Sequence, residues 1–236
     1  PIDVSRMLKY GNNLWFQCGD STYHGPNWPI FIKVRTDNSK GIIAKLDYNR
    51  HFGDVFKHRD IPWDEKKSDI IWRGADTGRG VRLDFVNKFK DTMDIGFSHY
   101  VQDALNDPDS YPKELLKGKI SIPDMLKYKY LPVIDGNDKS SSLGWVMGSN
   151  SVPIMPKPKY YSWLCEPWLE ANKHYVEVQR DFSDLPEKIE WCKNNDEKCK
   201  NIAEEGKKFM IQFLNPVAEE YLEREVVRST NIVGNI

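Results

Sequence analysis

Apolar residues fall into two periodicities along this chain. Short apolar runs bounded by turn formers dominate up to about residue 180, and a 3.6-residue spacing takes over beyond it. The first thirty residues are aromatic and irregular, with turn formers at Gly11-Asn12-Asn13 and Gly25-Pro26-Asn27. Two strand-like runs follow, Pro29-Ile30-Phe31-Ile32-Lys33-Val34-Arg35 and Gly41-Ile42-Ile43-Ala44-Lys45-Leu46-Asp47, separated by the turn Asp37-Asn38-Ser39-Lys40. Ile70-Ile71-Trp72 reads as a short buried strand, and Val81, Phe85, Val86 and Phe89 behind it are spaced as on a helix. Further strands are expected at Asp94-Ile95-Gly96-Phe97, Tyr128-Lys129-Tyr130-Leu131-Pro132-Val133-Ile134, Ser151-Val152-Pro153-Ile154-Met155 and His174-Tyr175-Val176-Glu177-Val178. Ser121-Ile122-Pro123-Asp124 looks like a helix start, and a second short helix is expected from Leu143 to Met147.

The C-terminal part is the clearest helical region. Asp184-Leu185-Pro186-Glu187 has the spacing of a capping box, and Asn195 is placed to cap a second helix. That helix has an apolar face of Cys199, Ile202, Ala203, Gly206, Met210, Phe213 and Leu214. A last helix spans 217–227 and is expected to run on towards the chain end. Strands alternating with helices predict an α/β protein with a mostly parallel sheet covered on both faces. The polar stretch 57–68, with Pro62 and seven charged residues between Lys57 and Lys67, reads as a surface connection and a domain boundary.

Composition narrows the function classes. With 39% hydrophobic residues in 236, the chain can build a real core. Its 34 basic and 35 acidic residues leave a net charge of −1, which gives no electrostatic reason to expect nucleic acid or an anionic membrane as partner. No apolar run reaches the length of a membrane span, and the first residues lack a signal pattern, so a cytoplasmic location is expected. The chain starts at Pro1 rather than Met, which leaves a lost leader open. Cys18, Cys165, Cys192 and Cys199 form no CxxC pair and read as ordinary reduced thiols.

Two segments could hold an anion. Trp72-Arg73-Gly74-Ala75-Asp76-Thr77-Gly78-Arg79-Gly80-Val81-Arg82 packs three glycines, a hydroxyl and three arginines behind a strand. Glycines let backbone N–H groups approach an anion, a following helix start adds positive potential, and arginine offers a bidentate fork to phosphate. The bland reading is a tight strand-to-helix turn with surface arginines. No Gly-Lys-Ser/Thr follows, so this is not a Walker loop. Asp135-Gly136-Asn137-Asp138-Lys139-Ser140-Ser141-Ser142-Leu143-Gly144 is the second, where serine hydroxyls and free N–H groups could hold a diphosphate. Alone it reads as a solvated loop with a serine cap. Two such loops at one sheet edge point to a ligand there.

Asp37, Asp47 and Asp54, near the first strands, could each act as a general base, although turn and surface aspartates are the commoner reading for two of them. Asp107-Pro108-Asp109 matches a DxD metal motif but sits in a polar loop, and His51 and His58 near Asp54 could suggest a metal site or triad. No serine has a GxSxG setting. The Trp and Tyr cluster 160–168 could stack on a base or sugar, or form core.

At this point the chain resembles a known family. Trp72-Arg73-Gly74-Ala75-Asp76-Thr77-Gly78 is similar to the WRGxxTG signature of glycosyltransferase family 90, which holds protein O-glucosyltransferases, capsule-associated xylosyltransferases and lipopolysaccharide-modifying enzymes. Lys127-Tyr128-Lys129-Tyr130-Leu131 with Asp135-Gly136-Asn137 resembles its KYKYLxxxDGN segment. Pro167-Trp168-Leu169, His174-Tyr175-Val176-Glu177-Val178 and Asp181-Phe182-Ser183-Asp184-Leu185 resemble its PWLxPxxHYVPVxxDxSDL stretch, and Ile202-Ala203-Glu204-Glu205-Gly206 also matches. The likeness covers about 61–222.

The resemblance implies a GT-B fold, two Rossmann-like domains with a cleft between them, here with a reduced N-terminal domain. It implies 1–66 as the acceptor side, 67–214 as the nucleotide-sugar domain and 215–236 as a C-terminal helix crossing back to the N-terminal domain. It implies an inverting transfer of glucose or xylose from a UDP-sugar to a hydroxyl of a glycan or glycoprotein, with the UDP-sugar as co-substrate, no required cofactor and no metal. A viral or bacterial source suits the short N-terminal half and the missing disulfide cysteines. Asp37 is the expected base, from the partial match of Val34-Arg35-Thr36-Asp37 to the family's VxRDxP, with Asp54 in reserve. Arg73, Gly74, Thr77, Gly78 and Arg82 are expected around the diphosphate, with Asp135, Gly136, Ser140, Ser141 and Ser142 as the second phosphate loop and Glu166 as ribose ligand. The family's Ser-x-Arg after DGN is absent; Ser142 stands there, so Arg73, Arg79 or Arg82 would have to supply the charge. The alternative is an inactive module that binds sugar nucleotides or glycans.

Overall fold

The computed structural model describes residues 2–11 and 14–233. Asn12 and Asn13 of the expected first turn, Pro1 and the last three residues lie outside them. In chain order the elements are α1 (Ile2–Met7), β1 (Trp15–Gln17), β2 (Ile30–Ile32), β3 (Val34–Arg35), β4 (Ile42–Ile43), α2 (Tyr48–His51), β5 (Lys67–Ala75), α3 (Val81–Phe89), β6 (Asp94–His99) and α4 (Asp103–Asn106). They continue with α5 (Ile122–Met125), β7 (Tyr128–Pro132), α6 (Leu143–Met147), β8 (Val152–Met155), β9 (Tyr161–Ser162), β10 (Val176–Glu177), α7 (Leu185–Asn194), α8 (Asp196–Ile211) and α9 (Pro216–Val233).

The central sheet has five parallel strands in the order β10-β8-β7-β5-β6. Its strands are apolar on both faces because helices cover both. Alternation along each strand sorts the side chains. Ile70, Trp72, Tyr130, Ile154 and Val176 join α3, α7 and the first half of α8 in one core. Ile71, Leu131, Val133, Met155 and Tyr175 face the other way and pack with α6 and the end of α8. Phe85 is central to the first core, with its ring 4.8 Å from Phe182, 5.3 Å from Phe89 and 5.7 Å from Trp72.

The N-terminal segment forms a separate three-stranded parallel sheet, β1-β2-β4. Its core of Met7, Phe31, Ala44 and Leu46 is closed by Val227 of α9. Arg6 pairs with Glu223 at 2.6 Å and Lys45 with Glu219 at 2.5 Å, so α9 lies against this sheet. Among the described residues no helix is long and apolar enough to cross a membrane.

Several local expectations need correction. The strand expected over 29–35 breaks at Lys33, and its second half, β3, pairs antiparallel with β9 instead. Of 41–47 only β4 and the Ala44 N–H continue the ladder, and Asp47 then turns the chain through φ 58°. The stretch 57–68 is no simple surface link: Trp63 is buried edge-on to Tyr130 and donates to Asp196 at 2.9 Å. β5 runs through Arg73, Gly74 and Ala75 rather than ending at Trp72. The capping box at α7 does not form, because the Asp184 carboxylate accepts from Gln179 N–H at 2.8 Å instead. Asn195 likewise turns its amide to Trp191 O rather than capping α8. Leu214, expected on the α8 apolar face, is exposed, because α8 ends at Ile211 and the chain tightens into a 3-10 turn.

Phe85→Ala removes a ring that no neighbour can replace, and should lower unfolding free energy by about 3–5 kcal/mol in urea titration. An unchanged midpoint would show that this core is not close-packed.

Candidate active site

The strand order sets where a ligand can lie. From β5 the chain crosses to β6 on one side and returns to β7 on the other, so the loops after β5 and β7 part at their carboxyl ends. Open α/β sheets place their ligand crevice at this switch point.

Arg82, in the first turn of α3, joins the two loops. Its guanidinium donates to Thr77 Oγ1 at 2.8 Å and Ala75 O at 3.1 Å on one loop. On the other it donates to Ile134 O at 3.0 Å and Asp135 O at 3.3 Å. None of these partners is a carboxylate, so its charge is bonded but not cancelled. Burial pushes this guanidinium down to about 10, and Asp135, Asp103 and Asp76 nearby resist that, so it stays protonated at neutral pH. Glycines allow the close approach. Gly78 has φ +104°, and a Cβ there would meet Asp135 O and Gly136 Cα, each at 3.3 Å. A Cβ on Gly136 would lie 2.9 Å from Thr77 Oγ1. Gly78 N–H also donates to Asn137 Oδ1 at 3.2 Å.

Beside the second loop lies a cleft of about 140 Å³, which Asp135, Ser140 and Glu166 line and Arg82, Thr77 and Gly78 do not. Asp135, Lys139, Ser140, Lys159, Tyr160 and Arg180 supply its polar wall, and Val81, Leu143, Pro158 and Phe182 its apolar one. Burial raises the Asp135 carboxyl, opposed by Lys159, the Ser140 backbone, Arg180 and Arg82. Ser140 and Ser142 bond to each other at 2.9 Å, and Ser141 is half-buried between them.

Other expected residues stand elsewhere. Arg73 reaches back to Asp94 Oδ1 at 2.5 Å and Asp94 O at 2.8 Å, at the amino end of β6 and away from the switch point. Gly74 lies within β5, where a Cβ would strike the Trp72 ring. Arg79 is exposed with φ 53°. Glu166 lines the cleft, but both its oxygens are taken: Oε1 by Lys139 and Ser162 Oγ, each at 2.7 Å, and Oε2 by Ser162 N–H at 2.7 Å. Asp37 accepts from Tyr161 OH at 2.6 Å, one residue from cleft-lining Tyr160. Asp54 pairs with Lys57 at 3.2 Å beside a different groove, with His58 at 3.8 Å. Among the described residues no three His, Cys, Asp or Glu side chains gather as a metal site.

Four groups escaped the sequence reading. Asp76 is fully buried and accepts from the N–H groups of Val101 at 2.5 Å and Ala104 at 2.7 Å, which fixes the loop after β6. Lys139 belongs to no motif of its own, and only the fold brings it to Glu166 at 2.7 Å and Ser162 Oγ at 2.6 Å. Lys159 and Arg180 had a usable signal, since 156–160 directly follows strand β8 and Arg180 follows β10, at the same sheet edge as the two loops.

His51 packs below the second loop, where its backbone oxygen lies against Gly144. Burial pushes its imidazole down to about 2, with Lys139, Lys33 and Arg50 adding to this.

An open, doubly wound α/β sheet with a basic cleft at its switch point defines the class. Within it, the sequence model of glycosyl transferase family 90 matches residues 46–219, and the chain belongs to that family. It is 34% identical over 225 residues to the O-glucosyltransferase LpsA of Dichelobacter nodosus, covering 92% of this chain and 67% of that one. It is 32% identical over 179 residues to human protein O-glucosyltransferase 3, covering 69% of this chain but 33% of that protein. A viral relative, uncharacterized protein 179R of Invertebrate iridescent virus 6, is 26% identical over 224 residues, 77% of this chain and 18% of its own length.

Gly136→Val should push Thr77 and Arg82 away and part the loops, seen as faster amide exchange at 76–78 and 135–137. For His51 the folded pKa is depressed below the ordinary 6.5, so its contribution to stability is complete above that pH and is lost as pH falls. Each pH unit below about 6.5 costs up to about 1.4 kcal/mol. His51→Gln should flatten the decline of unfolding free energy between about pH 6.5 and 4.5; an unchanged slope would show His51 charging freely in the fold.

Proposed function

We propose that this chain carries the catalytic unit of an inverting, UDP-sugar-dependent glycosyltransferase of GT-B architecture, transferring a glucosyl group to a hydroxyl of a glycan or protein. The observation that carries this reading is the junction of the two switch-point loops through Arg82, whose charge no carboxylate among the described residues cancels by direct contact. The names of the bacterial and human relatives favour glucose over xylose as the sugar moved.

The departing nucleoside diphosphate develops negative charge as the glycosidic bond breaks, and preorganised donors aimed at it lower the barrier. Arg82 would supply the fixed cation there, with Thr77, Gly78, Gly136, Ser140, Ser141 and Ser142 around it. Lys159 and Arg180, on the cleft wall, would stand in for the arginine that the second loop lacks. Arg73 is left out, since Asp94 occupies it. Glu166 would act through Lys139 by holding its ammonium against the cleft rather than by touching the ribose. The reaction needs no metal in this reading, because cationic side chains meet the diphosphate.

A single displacement inverts the anomeric carbon: the acceptor oxygen attacks as the diphosphate oxygen leaves, and a base takes the acceptor proton. Asp37 is our choice for that base over Asp54. It sits where β3 and β9 bring the N-terminal segment against the rim of the cleft, whereas Asp54 is engaged beside another groove. The 1–66 segment would form the acceptor side and 67–214 the donor side.

Transfer from UDP-glucose measured with purified protein tests this. Asp37→Asn should lower kcat by about 10²–10⁴-fold with donor binding intact. Arg82→Gln should weaken UDP binding in a thermal-shift titration by tenfold or more. A protein that binds UDP-sugar but neither transfers nor hydrolyses it would establish the inactive binding module instead.

A further inference from the structure

The break between β2 and β3 has a chemical occupant. Lys33 sits at the kink, 5% exposed, and its ammonium meets three carboxylates: Asp20 at 2.5 Å, Asp138 at 2.8 Å and Asp47 at 3.6 Å. Asp20 and Asp47 belong to the same N-terminal segment as Lys33. Asp138 does not; it lies in the middle of the loop after β7 and is 2% exposed. Arg50 shares Asp20 at 2.9 Å and lies 3.6 Å from Asp47. Lys33 and Arg50 are thus balanced by Asp20 and Asp47 even without Asp138, while Asp138 has Lys33 as its ion-pair partner among the described residues.

That asymmetry separates two roles. The N-terminal segment does not need Asp138 to satisfy Lys33, but the loop needs Lys33 to keep a buried carboxylate. An unpaired buried charge is strongly unfavourable, so the loop is held where the ammonium is. The Gly136 N–H donates to Asp138 O at 2.9 Å, which transmits that position to the glycine facing Thr77 and Arg82.

We propose that Lys33 is a positioning residue which, through Asp138, holds loop 135–142 in the conformation that meets the donor diphosphate. The proposal rests on the donor-site reading above for its ligand, but not for the tie itself. Arg82 clamps the loop to the parallel sheet, and Lys33 clamps it to the N-terminal segment. A ligand at the loop is therefore linked to the segment that carries Asp37.

Three variants of the whole chain test this, with amide exchange and UDP-glucose kinetics as readouts. Asp138→Asn keeps size and leaves Lys33 its other two carboxylates, so folding should persist. We expect exchange at 135–142 to rise tenfold or more, and donor KM to rise about tenfold with kcat changed less than threefold. Lys33→Met should do the same, and if it fails to fold, Asp138→Asn decides alone. Asp20→Asn removes a still closer ion pair from the same ammonium but leaves the loop tied, and should change neither loop exchange nor KM. Wild-type exchange in Asp138→Asn, or an equal effect from Asp20→Asn, would overturn the proposal. If the wild-type protein shows no response to UDP or UDP-glucose, the donor-site reading fails, while the exchange data still decide whether the tie exists.

Discussion

The constraint on which the site depends is one buried guanidinium bonded to two loops. Arg82 donates to three backbone carbonyls and one hydroxyl drawn from both sides of the switch point. Carbonyl oxygens carry only partial charge, so they satisfy the donors of a buried cation without neutralising it. A carboxylate at the same place would make a tighter pair and leave nothing for an incoming anion. The close passage of Gly78 by Gly136 follows from the same need, since any side chain there would stand between the loops.

Around that centre the charges are sorted by partner. Arg73 and Glu166 both looked available in the sequence, and both are consumed locally, by Asp94 and by Lys139 with Ser162. Lys159 and Arg180 remain on the cleft wall next to Asp135, whose carboxyl burial makes harder to ionise. The family's pattern of residue types is therefore a poor guide to which individual charge is free, because freedom depends on the neighbour across the sheet.

The parallel sheet was readable because its strands are buried on both faces and appear as unbroken apolar runs, as in Tyr130-Leu131-Pro132-Val133-Ile134. Helices α3 and α8 were readable from their 3.6-residue spacing. The N-terminal segment was harder. Its strands are two or three residues long, and Lys33 within an apolar run gave no sign that it would break a strand in two. Trp63 inside a charged stretch was a hint of burial that composition outweighed. The capping signals at Asp184 and Asn195 were local, and longer-range or backward hydrogen bonds claimed both side chains. At the site, the two loops could be found from glycine and hydroxyl content, whereas Lys139, Lys159 and Arg180 depend on which strand ends lie side by side.

Asp76 illustrates a hazard for reading function from loss of activity. It stands in the motif shared with the family, beside the cleft loops, and carries an acidic group at no solvent exposure. Yet its oxygens are spent on main-chain N–H groups at 101, 102 and 104, where an amide or a hydrocarbon would leave backbone donors stranded. In a saturation mutagenesis screen this position would score with the chemistry although its oxygens hold backbone, and only a parallel assay of folded yield would tell scaffold from reagent.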